Sequence, residues 1–220
     1  SLLNNPLTFD LGQRMGRYAP RWRHVEVILN GAYLGVYALM EKIKRDGDRV
    51  SIAKLQPQDT IGDDLTGGYI IKIDWAQGNN AAFWTSAFAP PNANGAQTVE
   101  FLVDYPNTPL SQQTAYIQAY TDSFEYALHD NDLADAVNGY RHFLDVPSAI
   151  DYFLVNEFAR NVDAYRLSTF LYKDKDSNGG KLTFGPLWDF DLGFANAYYC
   201  DGSTVAGWSY RIADVCDWSD

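Results

Sequence analysis

Three aspartates have the types and spacing that phosphoryl transfer requires. Asp163 follows a segment with helical periodicity, and Asp189 and Asp191 lie in the stretch Pro186-Leu187-Trp188-Asp189-Phe190-Asp191. One carboxylate can orient an attacking hydroxyl, while another, through a divalent cation, neutralises charge on the phosphates. Asp191 is two residues beyond Asp189. If the chain is extended there, the strand period of two puts both carboxylates on one face, where Asp191 can share or support the metal.

The elements that must position these groups can be read from the pattern. Asp145 is an N-cap with Pro147 in the first turn, opening a helix that buries Ile150, Phe153, Leu154 and Phe158 and ends near Asn161. Thr169 to Lys173 reads as a strand, Asp174 to Gly180 as a turn and Lys181 to Phe184 as the returning strand. Helix, loop with an aspartate, hairpin and an Asp-Phe turn follow one another in a protein-kinase C-lobe, where the hairpin brings two distant aspartates side by side.

Upstream, Val25, Val27 and Leu29 alternate in a strand before Asn30-Gly31, a strong hairpin signal, and Tyr33 to Met40 supplies the second strand. A charged run from Glu41 to Arg49 follows. Gly68 to Asp74 is a further strand containing Lys72, and residues 76 to 97, rich in Ala, Asn, Gly and Pro, read as a surface excursion before a short strand at Thr98 to Val103. The spacing of Ala115, Ile117, Ala119, Tyr120, Phe124, Ala127 and Leu128 predicts a helix over Ser111 to His129. The expected class is therefore α+β.

Composition narrows the field. A chain of 220 residues, 46% apolar, can bury a substantial core, and its net charge of −11 repels a nucleic-acid backbone. Apolar runs such as Tyr33 to Met40 fall far short of the roughly 20 residues of a membrane span. No leader segment opens the sequence, so localisation has to be inferred indirectly. Cys200 and Cys216 can close a disulfide in an oxidising compartment or remain two thiols.

Four segments in order carry a resemblance: Asn30 to Lys42, Asn156-Glu157-Phe158-Ala159-Arg160-Asn161-Val162-Asp163, Leu171-Tyr172-Lys173-Asp174 and Pro186 to Asp191. Together they resemble the spore-coat protein H (CotH) kinase family over roughly residues 1 to 215. The resemblance implies an atypical two-lobed kinase fold in a single domain, with a β-rich N-lobe over about 1–109 and a helical C-lobe carrying the catalytic hairpin over about 110–220. It implies ATP with Mg²⁺ or Mn²⁺ as cofactors, Ser or Thr in protein as acceptor, and a secreted or cell-surface setting. Carried over by motif, Asp163 is the catalytic aspartate and Asp189 the metal ligand. Lys72 is the candidate to grip the α- and β-phosphates, Glu125 its acidic partner in preference to Asp122, and Glu41 a second choice at the nucleotide site.

Two departures stand out. Ser168 occupies the position of the asparagine that holds a second metal in ordinary kinases, and Asp191 replaces the glycine of Asp-Phe-Gly. A kinase C-lobe carries several further helices beyond this point, so the expectation is a fragment of the full domain. The acidic charge favours basic, Ser-rich protein substrates. Asp174 to Gly179 imitates the start of a Ca²⁺ loop, but its twelfth position is Gly185, so a polar hairpin turn is the better reading. His24, His129 and His142 show no metal-ligand spacing. The alternatives are a catalytically silent kinase-fold scaffold or attachment module, and a carbohydrate-associated domain built on Trp75, Trp84, Trp208 and Trp218.

Overall fold

Asn30 and Gly31 adopt φ of 51° and 83°, the left-handed pair that a two-residue hairpin turn needs. They join β1 (Trp22–Leu29) to β2 (Ala32–Met40) in an antiparallel ribbon. The structure, a computed structural model, describes residues 2–90, 98–130 and 133–216. Trp218 and the 91–97 part of the expected excursion lie outside the described residues.

The ribbon stands apart from the main sheet. β3 (Tyr69–Ile73), β4 (Phe83–Thr85), β5 (Glu100–Tyr105), β6 (Thr169–Lys173) and β7 (Thr183–Phe184) form a five-stranded antiparallel sheet in the order β4-β5-β3-β6-β7. The class is α+β, as expected, but the sheet runs across the expected lobe boundary near residue 109. The hairpin assigned to a helical C-lobe instead pairs with β3, from Tyr69 opposite Lys173 to Ile73 opposite Thr169. β4 is a second correction. It falls inside the predicted surface excursion, yet Trp84 is buried and stacks on Phe101 with ring centroids 5.5 Å apart.

The helices cover the sheet and flank the hairpin. Helix α3 (Ser111–His129) has the predicted bounds and packs Ile117 and Phe124 against Tyr69, Ile71, Phe101 and Leu171 on one sheet face. The other face carries Ile70 and Phe170 under Ile43, Val50 and Ile52. Two short helices, α2 (Gly62–Leu65) and α4 (Tyr140–Phe143), lie in connections. The sequence pattern assigns nothing before Arg23, where the structure has helix α1 (Asn4–Arg14) and its fully buried Phe9.

Helix α5 (Val146–Ala159) begins after Asp145 as predicted, although the Asp145 carboxylate turns to Arg17 at 3.6 Å instead of capping the helix. Its buried face differs from expectation. Tyr152, Val155, Asn156 and Ala159 face the core with Phe9, Leu187 and Phe190, while Ile150, Leu154 and Phe158 are at least half exposed. Apolar residues occupy both sides of this helix, so periodicity alone could not choose between them.

The turn between β6 and β7 is held from within. Lys173 is fully buried, donates to the Thr66 carbonyl at 2.5 Å and to Asp176 at 2.6 Å, and lies 4.5 Å from the Tyr120 ring centroid. Asp174 accepts from the Ala53 amide at 2.8 Å and from Asn178 at 3.0 Å. The oxygens of the Ca²⁺-like stretch thus bind protein donors in a hairpin turn. Gly67 seals the contact, since a Cβ there would lie 2.0 Å from the Lys175 backbone nitrogen. Gly67→Ala should therefore lower stability by about 2–4 kcal/mol in a denaturant melt; an unchanged midpoint would show that the loop yields freely.

Candidate functional site

The loop after α5 is built to present Asp163. Arg160 ends the helix in a left-handed conformation with φ 46°, and the Asn161 side-chain oxygen accepts the Asp163 amide at 3.3 Å. Backbone bonds from Arg166 and Leu167 to the Asp163 carbonyl, at 3.3 and 3.1 Å, close the turn. Arg166 is almost fully buried and donates to the Asp163 carboxylate at 3.3 Å. Burial nevertheless raises the Asp163 pKa, with Arg166 opposing and the charges of Asp191 and Asp74 adding to the rise.

Asp189 and Asp191 meet this loop from the far end of the hairpin, but not by continuing a strand. β7 stops at Phe184, and Asp189 is left-handed at φ 60°. The backbone turn at Asp189, not an extended period of two, brings its carboxyl against that of Asp191. Phe190 between them is fully buried. Helix α1 fixes the turn: Asn5 accepts the Phe190 amide at 2.6 Å, and Asn4 donates to the carbonyls of Asp191 and Gly193, each at 2.9 Å.

Ser168, also left-handed at φ 49°, donates its hydroxyl to Asp189 at 3.3 Å. The Asp189 pKa is pushed up to about 6, first by partial desolvation, then by the charge of Asp191 and a hydrogen bond with it, with Asp163 adding less. Three carboxylates therefore share one small region. Crowded carboxylates repel one another, and a divalent cation among them can relieve that repulsion. The Asp189 and Asp191 carboxyls and the Ser168 hydroxyl are hard oxygen donors of the kind that suits Mg²⁺ or Mn²⁺. Among the described residues, no three His, Cys, Asp or Glu side chains lie together as a group that could hold a metal ion.

Lys72 lies on the same side of the sheet as Phe170, whose ring centroid is 6.0 Å from its ammonium. Its carboxylate partner is Asp74 at 2.8 Å, not Glu125. Glu125 instead accepts from Ser86 at 2.5 Å, and burial raises its pKa. Glu41 is also committed elsewhere. It pairs with Arg21 at 2.5 Å and Arg49 at 3.7 Å, and the Arg21 hydrogen bond lowers its pKa. Of the predicted residues, the structure brings together Asp163, Asp189, Asp191 and Ser168, with Lys72 joined to them through Asp74, whose charge reaches Asp163.

Pattern reading did not single out Glu157, Asn4, Asn5, Asp74 or Arg166 as site residues. Glu157 accepts from the Tyr165 hydroxyl at 2.8 Å and from the amides of Ser209 and Tyr210 at 2.7 and 2.9 Å. It thereby ties the Asp163 loop to the segment 200–216, which the Cys200–Cys216 disulfide closes. Of the described members of the tryptophan set, Trp84 is core while Trp75 and Trp208 are half exposed. A cavity of about 480 Å³, lined in part by Arg141, Asp145 and Lys181, contains none of the predicted site residues.

Comparison with known proteins agrees with the segments that carry the sequence resemblance. The family described as CotH kinase protein matches residues 1–215. No curated protein matches significantly.

Two outcomes follow from the geometry. Glu157→Gln weakens three hydrogen bonds to a charged acceptor and should cost about 1–3 kcal/mol; a melting temperature equal to wild type would refute the tie. For Asp189, the folded carboxyl takes up its proton near pH 6 and the unfolded one near 3.8, so ionisation penalises the folded state fully above pH 6 and the penalty fades as pH falls toward 4. Asparagine tolerates the left-handed backbone. In chelator at pH 7.5, Asp189→Asn should therefore be more stable than wild type by about 1 kcal/mol after solvent screening. The gain should shrink at pH 5; a gain that grows on acidification would contradict this account.

Proposed function

Because the chain belongs to the CotH kinase family, we propose that it is an ATP-dependent phosphotransferase acting on Ser or Thr of protein substrates. The observation that carries the reading is the convergence of Asp163, Asp189, Asp191 and Ser168 from two ends of one hairpin. Asp163 is held by Arg166 and Asn161 at the mouth of a tight loop, where it can accept or orient the proton of an incoming hydroxyl. Asp189 and Asp191, supported by Ser168, would hold Mg²⁺ or Mn²⁺. That ion supplies charge neutralisation at the phosphates.

Lys72 contributes a point charge for phosphate oxygens. Its ammonium is largely sheltered, with 17% of the side chain exposed. The Tyr199 hydroxyl stands in the field of Asp163, Arg166 and Asp191, and desolvation raises its pKa, so it remains a neutral donor at the edge of the site. The net charge of −11 favours basic, Ser-rich substrates. A secreted or cell-surface setting is consistent with the Cys200–Cys216 disulfide, and no helix among the described residues is long and apolar enough to cross a membrane.

The test is transfer of label from γ-labelled ATP to a basic, Ser-rich protein in Mn²⁺ or Mg²⁺. Wild type should label it, and Asp163→Ala and Asp189→Ala should each reduce the rate at least about a hundredfold. Equal labelling by all three would remove these residues from the mechanism. ATP binding without transfer by wild type would favour a silent kinase-fold scaffold.

A further inference from the structure

Lys72 belongs to a pair that differs from the one expected on sequence, and the difference bears on how the site is controlled. We propose that Asp74 is the positioning residue for Lys72, so that the phosphate-binding lysine is oriented by its own strand and not by a helix. The proposal rests on the phosphotransferase reading above and deepens it.

Asp74 is itself fixed at three points. Its amide donates to the Glu100 carbonyl at 3.3 Å, one carboxylate oxygen accepts the Trp75 amide at 2.9 Å, and the other accepts the Lys72 ammonium at 2.8 Å. β3 ends at Ile73, so Asp74 lies at the bend just past the strand, two residues beyond Lys72. This spacing makes the ion pair without any contribution from packing helices. Only 17% and 23% of the two side chains are exposed, so the attraction is screened less than in a surface pair. A lysine on a flexible four-carbon stem needs such a partner to keep its ammonium in one place.

The groups around Lys72 agree. Its charge lowers the pKa of Asp104, a carboxyl raised mainly by burial and also stabilised by Lys42. Asp74 also acts on Asp163, raising its pKa. It thus stands between the phosphate-binding lysine and the catalytic loop, whereas Glu125 on α3 is engaged by Ser86.

In kinases whose lysine is partnered by a helix carboxylate, displacing the helix separates the pair and switches the site off. Here the separation of the partners is fixed by the chain between them. No helix movement can open it, and the lysine is in place without an activating event.

Isothermal titration of ATP with Mn²⁺ into the 220-residue chain tests this, using Asp74→Asn, Asp74→Glu, Glu125→Gln and Lys72→Met. Asp74→Asn should weaken ATP about tenfold or more and raise KM for ATP more than it lowers kcat, with Asp74→Glu recovering part of the loss and Glu125→Gln leaving affinity unchanged. In a Lys72→Met background, Asp74→Asn should have no further effect, because the two act as one unit. Additive losses in the double variant would assign Asp74 a general structural role and overturn the proposal, as would full affinity in Asp74→Asn or an equal loss in Glu125→Gln. Failure of wild type to bind ATP would overturn the phosphotransferase reading itself.

Discussion

The antiparallel pairing of β3 with β6 is the constraint on which the site depends. Ile73 stands opposite Thr169, so the residue after β3, Asp74, is brought level with the residue before β6, Ser168. That one register places the Lys72–Asp74 pair beside the loop carrying Asp163, and Ser168 then reaches Asp189. A slip of one residue would turn Lys72 to the face occupied by α3 and its apolar contacts. The burial of Ile71 and Leu171 on that face, and of Ile70 and Phe170 on the other, fixes the register.

Around this frame the acidic groups are held at a cost. Asp163, Asp189 and Asp191 repel one another, and Arg166 offsets part of the repulsion through a direct bond to Asp163. The backbone carries strain in the same place, with Tyr165, Ser168 and Asp189 all in the left-handed region. The rest of the molecule supplies the restraint. Asn4 and Asn5 hold the Asp189 turn from α1, and Glu157 holds the Asp163 loop and the disulfide-closed segment. A cation among the carboxylates would convert repulsion into binding energy.

Local signals were legible wherever one physical effect dominated. Asn30-Gly31 needed positive φ and formed the turn; the stripe on Ser111 to His129 formed α3; the β-branched run at Gly68 to Asp74 formed β3. Where two effects competed, the pattern was ambiguous. Helix α5 has apolar residues on both sides, and packing of Tyr152, Val155 and Ala159 with Phe9, Leu187 and Phe190 decided which side is buried. Trp84 lay in an Ala- and Asn-rich stretch that reads as loop, yet pairing with β5 made it core.

The sequence by itself determined the class, the order of helix, loop, hairpin and Asp-Phe turn, and the family, because these depend on residue type and short-range spacing. Tertiary structure decided the partners. Glu125 and Asp74 are both carboxylates within reach of an argument about Lys72, and only the sheet register and the Ser86 contact assign Asp74 to the lysine and Glu125 elsewhere. Likewise, Asp191 joins Asp189 through a left-handed turn held by two asparagines from the far end of the chain. Ion pairs and strained turns are fixed by contacts between residues remote in sequence, and no local pattern records which contacts the fold will close.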